Sequence, residues 1–224
     1  MDTYFITGTD TDAGKTVAAC GFVQYLVSSG RNVAVMKPVA SGCEMHDGQL
    51  KNSDALALMN VANIKQPYEQ VNPYTFEPAI APHIAAAEKG VEITINRLQK
   101  TVDEIRQTGA DVLVIEGAGG WQLPLSNTFF MPELVEQLSA KVILTVGLKL
   151  GCLNHALLSA LSIRASGCEL AGWVAVQTGE TPMPRQEENL KTLIRVLKSE
   201  PIATLPYMPD WQSQNFAGKF SLVH

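Results

Sequence analysis

The segment Gly8-Thr9-Asp10-Thr11-Asp12-Ala13-Gly14-Lys15-Thr16 constrains this chain more than any other, because it joins a short apolar run, Tyr4 to Thr7, to a stretch with helical spacing, Lys15 to Val27. A glycine-rich turn between a buried strand and a helix is the setting of a phosphate-binding loop. Glycines let successive N–H groups face inward, and the helix N-terminus adds positive potential. A lysine then reaches the terminal phosphates while the next hydroxyl ligates magnesium. Lys15 and Thr16 hold those two places. Five residues separate Gly8 from Gly14, one more than in the commonest pattern, so the strand-to-helix context carries the assignment.

Further short runs rich in Val, Ile or Leu lie at Val33 to Met36, Val112 to Ile115, Val142 to Val146 and Leu170 to Val176, with a weaker one at Ala203 to Leu205. They have the length and composition of strands buried on both faces. Helical spacing fills Ser53 to Met59, Ile95 to Thr108, Pro132 to Leu138, Asn154 to Ala165 and Gln186 to Lys198. Strand alternating with helix predicts an α/β fold of the P-loop NTPase kind, a mainly parallel sheet flanked by helices on both faces. Two longer connections, Val39 to Asn52 and Asn60 to Thr94, break the rhythm, and loops of that length usually carry function. No compositional shift marks a boundary, so residues 1–224 are expected to form a single domain.

Hydrophobic residues at 46% and charged residues at 17% are ordinary globular values, which sets disorder aside. With 17 Lys and Arg against 22 Asp and Glu, and no basic run, nucleic acid is not an expected partner. No apolar stretch reaches the length of a membrane span and the start lacks signal-peptide features, so a cytoplasmic protein without a membrane partner is expected. Cys20, Cys43, Cys152 and Cys168 are widely spaced, with no C-x-x-C pair and no histidine at a zinc-ligand interval, and read as reduced thiols.

Ligands of open parallel sheets bind beyond the carboxyl ends of the strands, which makes strand ends candidate site positions. Glu116 follows the run Val112 to Ile115 and precedes Gly117-Ala118-Gly119-Gly120, a place for a magnesium-completing carboxylate beside backbone amides. Lys37 ends the second strand before Pro38, which turns the chain away. Asp54 follows Ser53 at a helix start, where the helix dipole alone would also favour a carboxylate. Ser41-Gly42 offers a hydroxyl and a close backbone approach. The amides of Gly151, Cys152 and Leu153, ahead of a helix from Asn154, would suit a carboxylate, and Asn154 also reads as an N-cap. His83 and His155 have no visible orienting acid and read as structural, and nothing near Cys152 would activate it as a nucleophile.

Together Gly8 to Thr16, Lys37-Pro38-Val39-Ala40-Ser41-Gly42, Asn52-Ser53-Asp54-Ala55, Ala81-Pro82-His83, Glu116 to Gly120 and Gly151-Cys152-Leu153-Asn154-His155 resemble the ATP-dependent dethiobiotin synthetase family, in order from residue 3 to about 177. The resemblance implies closure of a cyclic urea on 7,8-diaminopelargonate with carbon dioxide and MgATP, in a homodimer. By resemblance, Lys37 would stabilise a carbamate and Lys15 the phosphates. Thr16, Asp54 and Glu116 would hold magnesium, and Thr11, Asp12, Ser41 and Gly119 the diamine and carbamate. Asp12, Ala13, Gly14, Lys15, Thr16 and Val17, with Asp54 and Glu116, Gly117, Ala118 and Gly119, would hold the nucleotide. Val176, Gln177, Leu205, Pro206 and Tyr207 would surround its base. Gly151 to Asn154 of a neighbouring subunit would take the substrate's far carboxylate.

Two positions depart from the family pattern: Asp12, where some members carry Glu, and Val176, where many carry an adenine-recognising Asn, leaving Gln177 as the nearest amide. The loop-and-sheet plan also suits a nucleotide-switched partner-binding ATPase of the partitioning or maturation type. Those usually carry another lysine near the loop's start, and Gly8-Thr9-Asp10 has none. A related amide-forming ligase normally appends a glutamine-hydrolysing domain, for which 224 residues leave no room.

Overall fold

The structure is a computed structural model and describes residues 1–221. In chain order its elements are β1 (Asp2–Gly8), α1 (Lys15–Ser28), β2 (Val33–Met36), β3 (Val39–Ala40), β4 (Glu44–His46), β5 (Gln49–Lys51), α2 (Ser53–Val61), α3 (Tyr68–Val71), β6 (Tyr74–Thr75) and α4 (Pro82–Glu88). They continue as α5 (Ile95–Arg106), β7 (Val112–Glu116), α6 (Met131–Gln137), β8 (Lys141–Gly147), α7 (Cys152–Ala165), β9 (Leu170–Val176), α8 (Gln186–Leu197) and β10 (Ala203–Leu205). Short 3-10 turns at Trp211–Ser213 and Ala217–Lys219 follow.

Six strands form one sheet in the order β10-β9-β8-β1-β7-β2, parallel throughout, with β1 paired to β7 on one side and β8 on the other. All six runs expected from the sequence are strands of this sheet. Alternation along β1 shows why they are mostly apolar: Phe5 belongs to the core on the face covered by α4 to α8, while Ile6, its neighbour, belongs to the core on the face covered by α1, α2 and the C-terminal segment. A strand covered on both faces has no side that tolerates polar residues. Helices therefore lie on both faces, as expected. Among the described residues no helix is long and apolar enough to cross a membrane.

The two long connections hold small elements that periodicity did not reveal. Val39–Ala40 pairs in parallel with Tyr74–Thr75, and Glu44–His46 with Gln49–Lys51 as an antiparallel hairpin. The hairpin turn is Asp47-Gly48, with φ of 51° and 79°, the left-handed pair that an Asp-Gly turn favours. Helix α7 starts at Cys152, two residues before the expected start. Its N-cap is Gly151, at φ 95°, so Asn154 is not the N-cap.

Candidate active site

The end of β1 and the start of α1 build the loop that the sequence marks. Gly14 takes φ 86°, and a Cβ there would lie 2.6 Å from Val176 Cγ1, so only glycine fits between the loop and the end of β9. Asp12 also adopts a left-handed backbone, φ 58°, which Asp tolerates better than a branched side chain. Lys15 donates to the Asp10 carbonyl at 2.8 Å, and burial together with the neighbouring Lys37 charge pushes its pKa down. Ala13, within the loop itself, is fully buried.

Around Lys37, just past the end of β2, two strand ends and two helix starts converge. Its Nζ donates to Glu116 Oε1 at 2.6 Å, to Asp54 Oδ2 at 3.0 Å and to the Gly117 carbonyl at 3.2 Å. Thr16 Oγ1 donates to the same Glu116 oxygen at 3.0 Å. Burial alone would push the Lys37 ammonium down, but the charge and hydrogen bonds of Glu116 and Asp54 outweigh it and raise its pKa. Glu116 is raised as well, chiefly by burial, which outweighs the lowering by Lys37 and Lys15 and is reinforced by the Asp54 charge. Asp54 is less enclosed; burial works against its ionisation, yet Lys37 draws its carboxyl below the ordinary range.

A buried hydrogen-bond chain fixes these groups relative to one another. Asn52 caps α2 by accepting from the amides of Asp54 and Ala55, and its own amide donates to Tyr68 Oη at 2.7 Å. Tyr68 donates to Asn72 Oδ1 at 2.9 Å, and Asn72 Nδ2 donates to the Lys37 carbonyl at 2.6 Å. The carboxylate of Asp54 and the amine of Lys37 are thereby held by two ends of one network. Sequence reading passed over Tyr68 and Asn72, which lie at a helix of only four residues, too short to show a period.

A cavity of about 770 Å³ opens above these groups. Of the positions expected at the site, Thr11, Asp12, Gly14, Lys15, Thr16 and Val17 line it from the loop side, and Lys37, Ser41, Asp54, Glu116, Ala118 and Gly119 from the β2 and β7 ends. Val176, Gln177, Pro206 and Tyr207 line its other end. Leu205 does not; its side chain is fully buried in β10, where strand alternation turns it into the core beside α1. Gly117 reaches the site through its carbonyl, since a Cβ there would meet Phe5 Cζ at 2.8 Å. Within that lining, Gln177 Nε2 donates to the carbonyls of Gly179 and Glu180 at 2.9 and 3.2 Å. The sequence did not single out the walls from Ala79, Ile80 and Leu123 or from Thr178, Met208 and Trp211.

Gly151 to Asn154 lie outside this cavity. The Cys152 amide is not free as expected: it donates to the Lys149 carbonyl at 3.0 Å, closing the turn that starts α7. Burial raises the Cys152 thiol, which fits an inert cysteine. His155 is exposed on α7, and His83 lies beside the cavity on α4 with a buried Nδ1 that has no hydrogen-bond partner among the described residues.

The residues present fit a magnesium ion. Glu116 Oε2 is buried without a hydrogen-bond partner among the described residues, and Thr16 and Asp54 supply further hard oxygen donors beside it. Among the described residues no three His, Cys, Asp or Glu side chains converge as a closed metal cage. A site of this kind leaves most of the coordination to phosphates and water, as magnesium prefers.

Strand order, loop and cation cluster define a P-loop NTPase fold with a phosphate-binding site at the carboxyl ends of its strands. The solved structures of MinD agree: the septum site-determining protein MinD complexed with Mg-ADP from Pyrococcus horikoshii has a TM-score of 0.58 at 15% identity, covering 97% of this chain and 93% of that one. The Aquifex aeolicus cell division protein MinD gives 0.57 at 16% identity, over 98% and 88%. At such identity the likeness is one of fold. A family model described as an AAA domain matches residues 2–215. Sequence relatives are far nearer: ATP-dependent dethiobiotin synthetase BioD of Idiomarina loihiensis is 61% identical over 97% of this chain and 98% of its own length. The enzyme of the same name from Pseudomonas paraeruginosa is 47% identical over 94% and 92%. The chain belongs to the ATP-dependent dethiobiotin synthetase family, a family of ligases of biotin biosynthesis.

Proposed function

We propose that this chain converts 7,8-diaminopelargonate, carbon dioxide and MgATP into dethiobiotin, ADP and phosphate. One observation carries the reading: Lys37, Lys15, Thr16, Asp54 and Glu116 meet at one cavity in a chain that is 61% identical to a named dethiobiotin synthetase. One substrate amine adds to carbon dioxide, forming a C–N bond and releasing a proton, to give a carbamate. A carbamate oxygen then attacks the γ-phosphorus and the bond to the β-phosphate oxygen breaks, releasing ADP. Finally the second amine attacks the carbonyl carbon, closing the ring as the C–O bond to phosphate breaks and a proton leaves.

Each step builds negative charge, so the site needs fixed cations and amides more than a covalent nucleophile. Lys37, held charged by two carboxylates, sits where the carbamate would form; Lys15 would leave the Asp10 carbonyl for the phosphates. Thr11, Asp12, Ser41 and Gly119 would position the diamine, and the buried Ser41 hydroxyl has no partner among the described residues. Thr16, Asp54 and Glu116 would hold magnesium, which when bound offsets charge on the β- and γ-phosphates. The apolar wall of Ala79, Ile80 and Leu123 suits the substrate's methylene chain.

The active enzyme is a homodimer in this reading, in which Gly151 to Asn154 of the partner complete the site at the subunit interface. Helix α7 and the turn before it support this: Leu150 is 93% exposed, Leu158 57% and Leu161 53%, an apolar strip that water alone would not favour. The reading further has residues 1–224 act as one domain in the cytoplasm. Incubation with the diamine, bicarbonate and MgATP, followed by mass analysis, tests it: dethiobiotin with equal ADP supports it, and ADP formation indifferent to the diamine refutes it.

A further inference from the structure

The end of the cavity formed by β9, β10 and the segment after them has a different character from the rest. These strands lie on the opposite side of β1 from β7 and β2, which carry Glu116 and Lys37. At strand spacing, β9 and β10 stand about 10 and 14 Å from β1. Val17, Val176, Pro206 and Met208 give this wall apolar surface, and Tyr207 and Trp211 give it rings. The nearest side-chain amide, Gln177, has its donors committed to two backbone carbonyls. Such a wall offers faces for stacking and few side-chain partners for the edge of a ring.

We propose that Trp211 is the platform on which the nucleobase stacks, and that Gln24 is the positioning residue that holds it there. The proposal rests on the nucleotide reading of the cavity. Among the three tryptophans Trp121 and Trp173 are buried, while Trp211 is half-buried and lines the cavity. On one side it borders the main cavity. On the other, with Cys20, Gln24, Ala57 and Phe216, it closes a void of about 30 Å³, too small for any nucleotide.

Helix α1 holds this ring at its working place. Gln24 Nε2 donates to the Gln214 carbonyl at 2.9 Å and its Oε1 accepts from the Phe216 amide at 2.8 Å, a pair of bonds that pins the C-terminal strap. Phe216 and Phe220 then bury themselves on α1 beside Gly21, where a Cβ would meet Phe220 Cε2 at 2.6 Å. The same helix opens with Lys15 and Thr16. Gln24 follows Thr16 by about 12 Å along the axis, so one rigid rod sets the distance between phosphate grip and base platform.

Titration calorimetry on the full chain with MgADP, MgGDP and magnesium tripolyphosphate tests this. W211A should weaken both nucleotides by about the same factor, on the order of tenfold, because stacking does not depend on the ring's edge. It should leave tripolyphosphate unchanged, W211F should stay within about threefold of the unaltered chain, and Gln24→Ala should show part of the W211A loss. Unchanged MgADP binding by W211A, or an equal loss of tripolyphosphate, would overturn the proposal. If the unaltered chain bound neither nucleotide nor tripolyphosphate, the nucleotide reading itself would fall, and this proposal with it.

Discussion

Replacing Lys37 by Met keeps the length of the side chain and removes its charge, which exposes the energetics of the buried cluster. Glu116 is fully buried and would lose its 2.6 Å partner, keeping only the Thr16 hydroxyl at 3.0 Å. Removing one member of a buried pair costs about 3–5 kcal/mol, and in a domain of this size each kcal/mol lowers Tm by about 2–4 °C. Lys37→Met should therefore melt about 6–20 °C lower near neutral pH. Glu116 can escape the penalty by keeping a proton. Its folded pKa is already raised, and without Lys37 it rises further. The folded variant then holds a proton that the unfolded chain releases above about pH 4.3, so stability falls as pH rises from there through the folded pKa. Lys37 in the unaltered chain has a raised folded pKa, so its contribution is complete below about pH 10.4 and flat across neutral pH. Scanning calorimetry between pH 5 and 8 would show the gap between the two proteins widening with pH, and adding Glu116→Gln to Lys37→Met should recover most of it. A gap independent of pH, with no recovery in the double variant, would refute the ion-pair argument. Turnover should fall about 100- to 1,000-fold, the usual cost of losing one group that stabilises developing charge.

Three other outcomes are expected. Gly14→Ala places a methyl 2.6 Å from Val176 Cγ1 at φ 86°, and the left-handed backbone alone costs about 1–2 kcal/mol; thermal melts should show Tm lower by at least about 2–4 °C, and adding Val176→Ala should restore only part of it. Thr16→Ala removes a hydroxyl that contacts Glu116 and should raise the magnesium concentration needed for half-maximal activity several-fold while the melting curve moves little; an unchanged magnesium dependence would remove Thr16 from the metal site. Leu158→Asp with Leu161→Asp puts charge on two exposed apolar positions of α7 and should yield monomers in light scattering, with loss of turnover and retained nucleotide binding; persistence of a dimer would place the interface elsewhere.

Residues next to regular elements were the ones that sequence made legible. Gly8 to Thr16, Lys37, Glu116 and Val176 all lie at strand ends, and a parallel sheet puts strand ends in one place regardless of the loops between them. Asp54 was open between site and helix cap until its 3.0 Å bond to Lys37 placed it in the site. Trp211 and Ile80 had no such signal, because their positions depend on contacts distant in sequence: Gln24 with Gln214, and β3 with β6. Tyr68 and Asn72 act through a hydrogen-bond chain that no spacing encodes. Two further features carry local signals in the sequence. Asp47-Gly48 is a hairpin turn by composition, and a left-handed Gly151 is a competent N-cap that starts α7 before Asn154.

Direct transfer of phosphate to a carbon-dioxide adduct leaves an isotopic record. If a carbamate oxygen near Lys37 attacks the γ-phosphorus, and the closing ring then expels that oxygen with phosphate, a single turnover with ¹⁸O-labelled carbon dioxide must deliver one labelled oxygen to inorganic phosphate. Mass analysis of the phosphate from enzyme, diamine and MgATP should show that label in step with dethiobiotin. Phosphate carrying oxygen only from water, alongside the same ring product, would contradict the chemistry assigned to this cavity.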